Sequence, residues 1–143
     1  MIYQSMCTSF KVNLLKGAFN FGTGTTQTFK VALYTSAANL SAVTTAYSTT
    51  NEASGAGYTA GGQALSVSVV PTSTGTTAFL SFSDVTWSAT TLTARGALIY
   101  KADGLTNPAI AVLDFGEDKQ TNAGDFVINF PLADAANAII QIA

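Results

Sequence analysis

Histidine is absent from this chain, and charged residues are scarce. Six lysines and arginines and eight aspartates and glutamates make up 14 of the 143 residues, whereas about a quarter of the residues of a soluble domain are normally charged. The lack of histidine excludes a Ser-His-Asp or Cys-His catalytic arrangement and imidazole ligation of a metal. Because most other catalytic chemistry also needs tuned acids, bases or nucleophiles, the composition predicts a protein that is not an enzyme and uses no cofactor.

Basic clusters and long apolar segments are also missing. The six cations are scattered and the formal net charge is −2, so the sequence shows no cluster of basic residues of the kind that binds nucleic acid. No stretch approaches the ~20 apolar residues that span a bilayer. The first ten residues, MIYQSMCTSF, lack the basic and apolar regions of a signal peptide. We therefore expect neither a nucleic-acid partner nor a membrane partner.

Cysteine occurs once, as Cys7, which excludes an internal disulfide. With no histidine to activate it, we interpret Cys7 as a small apolar residue near the start of a helix, rather than as a nucleophile or an intermolecular bridge. At 143 residues the chain is long enough to bury a core without disulfides or a metal, and we predict a single domain over residues 1–143.

Threonine and serine are abundant where charge is missing. Between Val31 and Ala94 the only charged residues are Glu52 and Asp84. A surface that is polar but nearly neutral costs little ionic desolvation to bury. This composition indicates a protein that packs against neighbouring molecules.

A short helix is predicted over residues 8–21, TSFKVNLLKGAFNF, with Thr8 or Ser9 as its cap. Phe10 and Leu14 fall near one face of this helix. The helix either forms an arm that docks on a partner or covers one end of its own sheet, and we favour the second interpretation.

After Gly22 the sequence becomes typical of β-structure, with short alternating runs separated by turn signals. About seven strands with such turns predict an antiparallel β-sandwich with Greek-key or jelly-roll-like crossings, although a closed barrel fits the same pattern. The predicted strands are residues 29–34, 64–69, 79–87, 92–101, 110–115, 126–130 and 139–142.

Residues 36–62 are too long for an ordinary connection. Structureless loops beyond about 12–15 residues are uncommon in compact domains unless they are functional or disordered, and this segment contains aromatic residues that a disordered linker would mostly lack. One interpretation is an extended flap that packs on a partner, with Tyr47 and Tyr58 as anchors. The other is an Ω-like loop folded on its own sheet.

Acidic residues are concentrated at one place, from Asp114 near the end of the fifth predicted strand through Glu117 and Asp118 to Asp125. Oxygen ligands at such spacing are the only candidate for an ion site. Because Lys119 lies among them, we interpret the segment as a solvated loop between the fifth and sixth strands. We predict neither a metal site nor a catalytic residue.

Arg95 lies inside the fourth predicted strand and is the first cation after Lys30. It either crosses an interface to a partner carboxylate or pairs within the chain with Asp84 or Asp114. We favour the intramolecular pair slightly.

Several phrases of the chain, taken in order, resemble a family of small virion structural proteins of tailed bacteriophages. These phrases are FKVALYT (29–35), NE (51–52), GAGYTAGG (55–62), TARGALIY (93–100) and AVLDFG (111–116), and the resemblance extends over nearly the whole chain. It implies a non-enzymatic part of a phage particle that is assembled in the bacterial cytoplasm.

Within that family resemblance we expect a capsid cement or decoration protein. It would lie on the outer surface of the virion, bind the major capsid protein and form a homo-oligomer, a dimer or a trimer. The alternative is a component of the tail, neck or fibre, or a module that binds a glycan receptor on the host. The residues predicted to contact partners are Phe10, Leu14, Tyr47, Tyr58 and Arg95.

Overall fold

Two antiparallel β-sheets share one apolar core in the computed structural model, which describes all residues from Met1 to Ala143. The prediction of an all-β, antiparallel, sandwich-like fold with a short N-terminal helix is confirmed. The elements in chain order are β1 (Ser5–Met6), α1 (Thr8–Leu15), β2 (Phe29–Tyr34), β3 (Gln63–Leu65), β4 (Val67–Thr74), β5 (Thr77–Phe82), β6 (Val85–Lys101), β7 (Ala109–Ile128) and β8 (Ile140–Ile142).

The larger sheet has the strand order β1-β7-β6-β2-β3, and the smaller sheet has the order β4-β5-β8. β2 has the bounds that the sequence predicted, and alternation directs Phe29 toward the smaller sheet, where its ring centre lies 6.4 Å from that of Phe82. On the opposite face, the Tyr34 hydroxyl donates to the carbonyl oxygen of Ser48 at 2.6 Å. Because residues 36–62 cover this second face, nearly all of β2 is buried.

β6 and β7 form one long antiparallel hairpin, whereas the sequence predicted separate strands at 92–101, 110–115 and 126–130. The pairing contains register shifts, two of them beside residues with positive φ, Ala89 at 52° and Ala123 at 51°. A bulge adds residues to one strand and bends the pair without ending it. The breaks in alternation that suggested strand ends are therefore bends within continuous strands.

The predicted acidic loop between the fifth and sixth strands is likewise part of β7. Residues 114–125 stay in the strand, with the largest register shift between the pairs Ala94–Lys119 and Gly96–Asp114. Gly116, with a φ of 81°, lies in this bulge. The acidic side chains consequently lie along a bent strand edge rather than on a free loop.

The predicted strands 64–69 and 79–87 each divide between the two sheets. The first becomes β3 and β4, and the second becomes β5 and the start of β6. The two crossings lie side by side, because the Ser83 N–H donates to the carbonyl oxygen of Ser66 at 2.9 Å. The fold therefore has eight strands rather than about seven.

The helix predicted over 8–21 ends at Leu15. Gly17, with a φ of 75°, takes the left-handed conformation that terminates helices. The prediction of Thr8 or Ser9 as the cap was also wrong, because Cys7 is the N-cap residue and no side chain caps the helix. Cys7 is fully buried, and burial raises the pKa of its thiol to about 11.

Candidate functional site

A polar cluster around Glu52 attaches the long segment 36–62 to the larger sheet. One oxygen of the Glu52 carboxylate accepts a hydrogen bond from the Tyr47 hydroxyl at 2.7 Å. The other accepts bonds from the Tyr58 hydroxyl at 2.6 Å and from the Gly61 N–H at 2.7 Å. Both oxygens are therefore engaged, and this carboxylate is not free to bind a ligand.

Two further tyrosines extend the cluster. The Tyr100 hydroxyl donates to the carbonyl oxygen of Gly61 at 2.6 Å, and the Tyr100 ring stacks on that of Tyr47 with centres 4.6 Å apart. Burial, and secondarily the charge of Glu52, raises the pKa of Tyr100 to about 12. Burial is also the main cause that raises the pKa of Tyr34, Tyr47 and Tyr58 above the ordinary tyrosine value. The four hydroxyls thus remain protonated donors at neutral pH.

Tyr47 and Tyr58, predicted as anchors for a partner, direct their hydroxyls into their own domain. Both are half-buried, and the Tyr58 ring centre lies 6.0 Å from that of Trp87 in the core. Residues 36–62 are folded on their own sheet. Sequence reasoning missed Glu52 as the residue that joins these tyrosines, although an isolated carboxylate among tyrosines was a usable signal.

Glycines in the phrase GAGYTAGG allow this segment to approach the sheet. A Cβ atom on Gly55 would lie 2.0 Å from the carbonyl oxygen of Thr91, and one on Gly62 would lie 1.8 Å from that of Val31. Both glycines also have positive φ, a conformation that side chains disfavour. This explains in physical terms why the phrase is rich in glycine.

The α1 candidates have different environments. Phe10 is fully buried, and its ring meets that of Phe19 edge-on with centres 4.8 Å apart. Leu14 is half-buried and lines an apolar groove of about 110 Å³ between α1 and the smaller sheet. Phe79 and Ile142 line the same groove. The structure therefore places Phe10 in the core and leaves part of Leu14 accessible.

Arg95 pairs within the chain, with Asp114, at 3.0 Å between Nε and Oδ1. Both side chains are partly exposed. The Gly116 N–H donates to the same carboxylate, and this bond, followed by that from Arg95, lowers the pKa of Asp114. Of the two interpretations of Arg95, the structure shows the intramolecular one.

The remaining residues of the predicted acidic loop, Glu117, Asp118 and Asp125, lie on β7. β1 covers the outer edge of this strand only beside Ala111 and Val112. Lys119 pairs with Glu117 at 2.6 Å, and no three acidic or cysteine side chains are grouped so that they could hold a metal ion. Charges and bulges on an uncovered edge strand oppose pairing with the edge of another sheet.

A hollow lies beside the bulged part of β7. Phe115 and Phe126, far apart in sequence, have ring centres 5.9 Å apart. The hollow measures about 260 Å³. We call it the hairpin hollow, and its lining residues are Phe115, Lys119, Gln120, Thr121, Asp125, Phe126 and Val127.

The segment between Val31 and Ala94 contributes almost no charge to the surface. Glu52 is held by the tyrosine cluster, and Asp84, which is exposed, accepts a hydrogen bond from the Phe130 N–H at 2.8 Å. Most of β4 is exposed and uncharged. We call the exposed residues of this strand the neutral face, and they are Ser68, Val70, Pro71, Thr72, Ser73 and Thr74.

Comparison of the chain with protein families, curated proteins and solved structures found no match. The single helix, α1, has eight residues, and no helix of the protein is long and apolar enough to cross a bilayer.

Proposed function

We propose that this chain is a non-enzymatic structural protein of a tailed-phage virion. In this role it is a cement protein that binds the outer surface of the capsid and stabilises the shell of the major capsid protein. The observation that carries the proposal is the neutral face, together with the near absence of free charge between Val31 and Ala94. Because few ionised groups must lose water, burying this surface against a protein lattice costs little desolvation.

Stabilisation of the shell follows from mass action. A protein that binds the assembled lattice and not its dissociated subunits adds its binding free energy to the stability of the lattice. Many copies of a modest contact then resist the pressure of packaged DNA. No step of this mechanism needs a catalytic residue or a cofactor.

The neutral face is a better candidate for the capsid contact than most of the residues first predicted. Phe10 is buried, Arg95 is paired with Asp114, and the hydroxyls of Tyr47 and Tyr58 are bound within the domain. Phe10 and Leu14 both line the groove beside α1, but only Leu14 is partly exposed there. We therefore assign the contact to exposed positions of β4 such as Thr72 and Thr74.

Immunogold electron microscopy of intact virions of the phage that encodes the chain tests the location. Label spread over the icosahedral shell is the expected result. Label confined to the tail or its tip would contradict the capsid role and favour the alternative of a tail component or receptor-binding module. Particles without label would contradict any role in the virion.

Binding to assembled shells tests the assignment of the contact. A Thr72→Lys substitution places a charge on the neutral face, and we expect at least about tenfold weaker binding to purified shells because that charge must be desolvated. Asn122→Lys adds the same charge at an exposed position of β7 and serves as the matched control. Equal affinities of the two variants would overturn the assignment to β4.

A further inference from the structure

The charges of this chain are segregated along the sequence. Residues 1–51 contain three cations, Lys11, Lys16 and Lys30, and no acidic residue. All eight acidic residues, with the other three cations, lie from Glu52 onward. A chain with so few charges therefore has one basic region and one acidic region.

The basic region presents an apolar side chain between two cations. Leu15, at the end of α1, is 91% exposed, more than any other large hydrophobic residue of the chain. Lys11 lies one helical turn before it and Lys16 follows it, and both are exposed. Neither lysine forms a salt bridge. We call these three residues the α1 knob.

The hairpin hollow has the opposite character. The rings of Phe115 and Phe126 line it, together with Lys119 and with Asp125, whose Oδ1 accepts a hydrogen bond from the Ala89 N–H at 3.3 Å. Asp118 lies in the bulge that follows Phe115. Lys119 is occupied by Glu117, so neither Asp118 nor Asp125 has a cation as its partner. Lys119 itself lines the hollow, but with Glu117, Asp118 and Asp125 beside one lysine the stretch 117–125 has a formal net charge of −2.

We propose that the α1 knob of one copy of this chain binds the hairpin hollow of a second copy. Leu15 enters the hollow against Phe115 and Phe126, while Lys11 and Lys16 face Asp118 and Asp125. The choice of a second copy rests on this charge complementarity, since the basic knob and the acidic hollow belong to the same sequence. The inference does not depend on the proposed role in the capsid.

Such a contact is heterologous, because the two partners use different surfaces. Each copy keeps one free knob or one free hollow after the first contact forms. Association therefore continues until a ring closes, or it proceeds as an open filament. A two-fold dimer is not the expected product.

Sedimentation velocity of the full chain over a range of concentrations tests the proposal. We expect concentration-dependent association that weakens as salt is raised. Leu15→Gln should weaken it at least tenfold, whereas Leu105→Gln should leave it unchanged. Leu105 is the matched control because it is 88% exposed in the turn of the β6–β7 hairpin, and thermal unfolding should show that both variants are folded.

Charge reversal provides the second arm. We expect Lys11→Glu with Lys16→Glu to abolish association, and Asp118→Lys with Asp125→Lys to do the same. The chain that carries all four substitutions should associate again, because an acidic knob then meets a basic hollow. A native chain that stays monomeric at all concentrations, equal effects of the two leucine substitutions, or failure of the fourfold variant to associate would overturn the proposal.

Discussion

The Tyr58 hydroxyl donates a 2.6 Å hydrogen bond to Glu52 and accepts one of 2.9 Å from the Leu33 N–H. One phenolic oxygen thus connects strand β2 to the Glu52 carboxylate within segment 36–62. The same carboxylate also holds the Tyr47 hydroxyl and the Gly61 N–H. A single acidic residue therefore joins three hydrogen-bond donors of the longest irregular segment of this fold.

Substitution of that residue should loosen the segment. In Glu52→Gln the amide nitrogen cannot accept a hydrogen bond, so at least one of the three donors loses its acceptor. Since hydrogen bonds to charged groups are worth about 1.5–3 kcal/mol each, we expect a loss of about 2–4 kcal/mol in the free energy of unfolding. Denaturant titration measures this loss, and hydrogen exchange should show faster exchange of amides in 36–62.

Glu117→Gln is the control for that experiment. Glu117 is an exposed residue whose partner is Lys119, and surface changes of this kind usually have little effect on stability. An equal loss of stability in the two variants, or unchanged exchange in 36–62 of the Glu52 variant, would contradict the role assigned to the cluster.

The tyrosine cluster also predicts sensitivity to high pH. Tyr34, Tyr47, Tyr58 and Tyr100 have a pKa raised by burial above the ordinary value of 10.0. A group whose pKa is raised on folding contributes stability that is fully present below the unfolded-state pKa and is lost as the pH rises toward the folded-state value. Between these two pKa values, each such group lowers the free energy of unfolding by about 1.4 kcal/mol per pH unit.

We therefore expect the free energy of unfolding to fall steeply above about pH 10. Denaturant titrations at a series of alkaline pH values measure the slope. Tyr58→Phe removes one titrating group, so the free energy of unfolding should fall less steeply with pH. The variant should also be less stable at neutral pH because it lacks the hydrogen bonds of the Tyr58 hydroxyl. A stability that stays level as tyrosines of the unfolded chain ionise would contradict the burial of these hydroxyls.

Local alternation was sufficient to predict the class of the fold. β2 was predicted with its correct bounds because Phe29, Val31 and Leu33 recur at every second position and no bulge interrupts the strand. The two strands of the β6–β7 hairpin were predicted as more, shorter strands because their bends lie at Ala89 and Ala123. A positive φ at an alanine cannot be recognised from the sequence. The helix was predicted too long because the apolar pattern continues past Gly17 to Phe21, which packs in the core without helical structure.

The site could be predicted only in part, because it is formed by contacts between residues that are distant in the sequence. The pair of Arg95 with Asp114 was among the expected alternatives because both residues were placed in strands that can lie side by side. The convergence of Tyr100 and Tyr58 on the loop around Glu52 was not predicted, because these residues come from separate elements that only the tertiary fold brings together. Aromatic residues in a long loop indicate burial, but they do not indicate whether the covering surface belongs to the same chain.

Low pH should weaken a different set of contacts. Hydrogen bonds from the Asn107 and Leu105 N–H groups lower the pKa of Asp103 in the hairpin turn, and a bond from the side chain of Asn137 lowers that of Asp134. A carboxylate with a lowered pKa contributes stability that is present above its unfolded value, 3.8 here, and is lost as the pH falls through the folded value.

We therefore expect the free energy of unfolding to decline progressively below about pH 4. In Asp103→Asn the side-chain oxygen still accepts the bonds of the turn but does not titrate. This variant should be somewhat less stable than the native chain at neutral pH and should lose less stability on acidification. Parallel acid curves for the two proteins would mean that the turn carboxylate does not contribute to the decline.

Substitution of Gly62 and of Gly104 by alanine separates the effect of backbone conformation on stability from the effect of close packing. The two glycines have nearly equal φ values, 76° and 73°. A Cβ atom on Gly62 would lie 1.8 Å from the carbonyl oxygen of Val31, whereas no atom lies within 4 Å of one on Gly104. Gly104→Ala should cost about 1 kcal/mol, the penalty of a left-handed conformation. Gly62→Ala should cost more than about 3 kcal/mol, because β2 or the loop must also move. Denaturant titration of both variants measures the difference, and equal costs would contradict the close approach of segment 36–62 to β2.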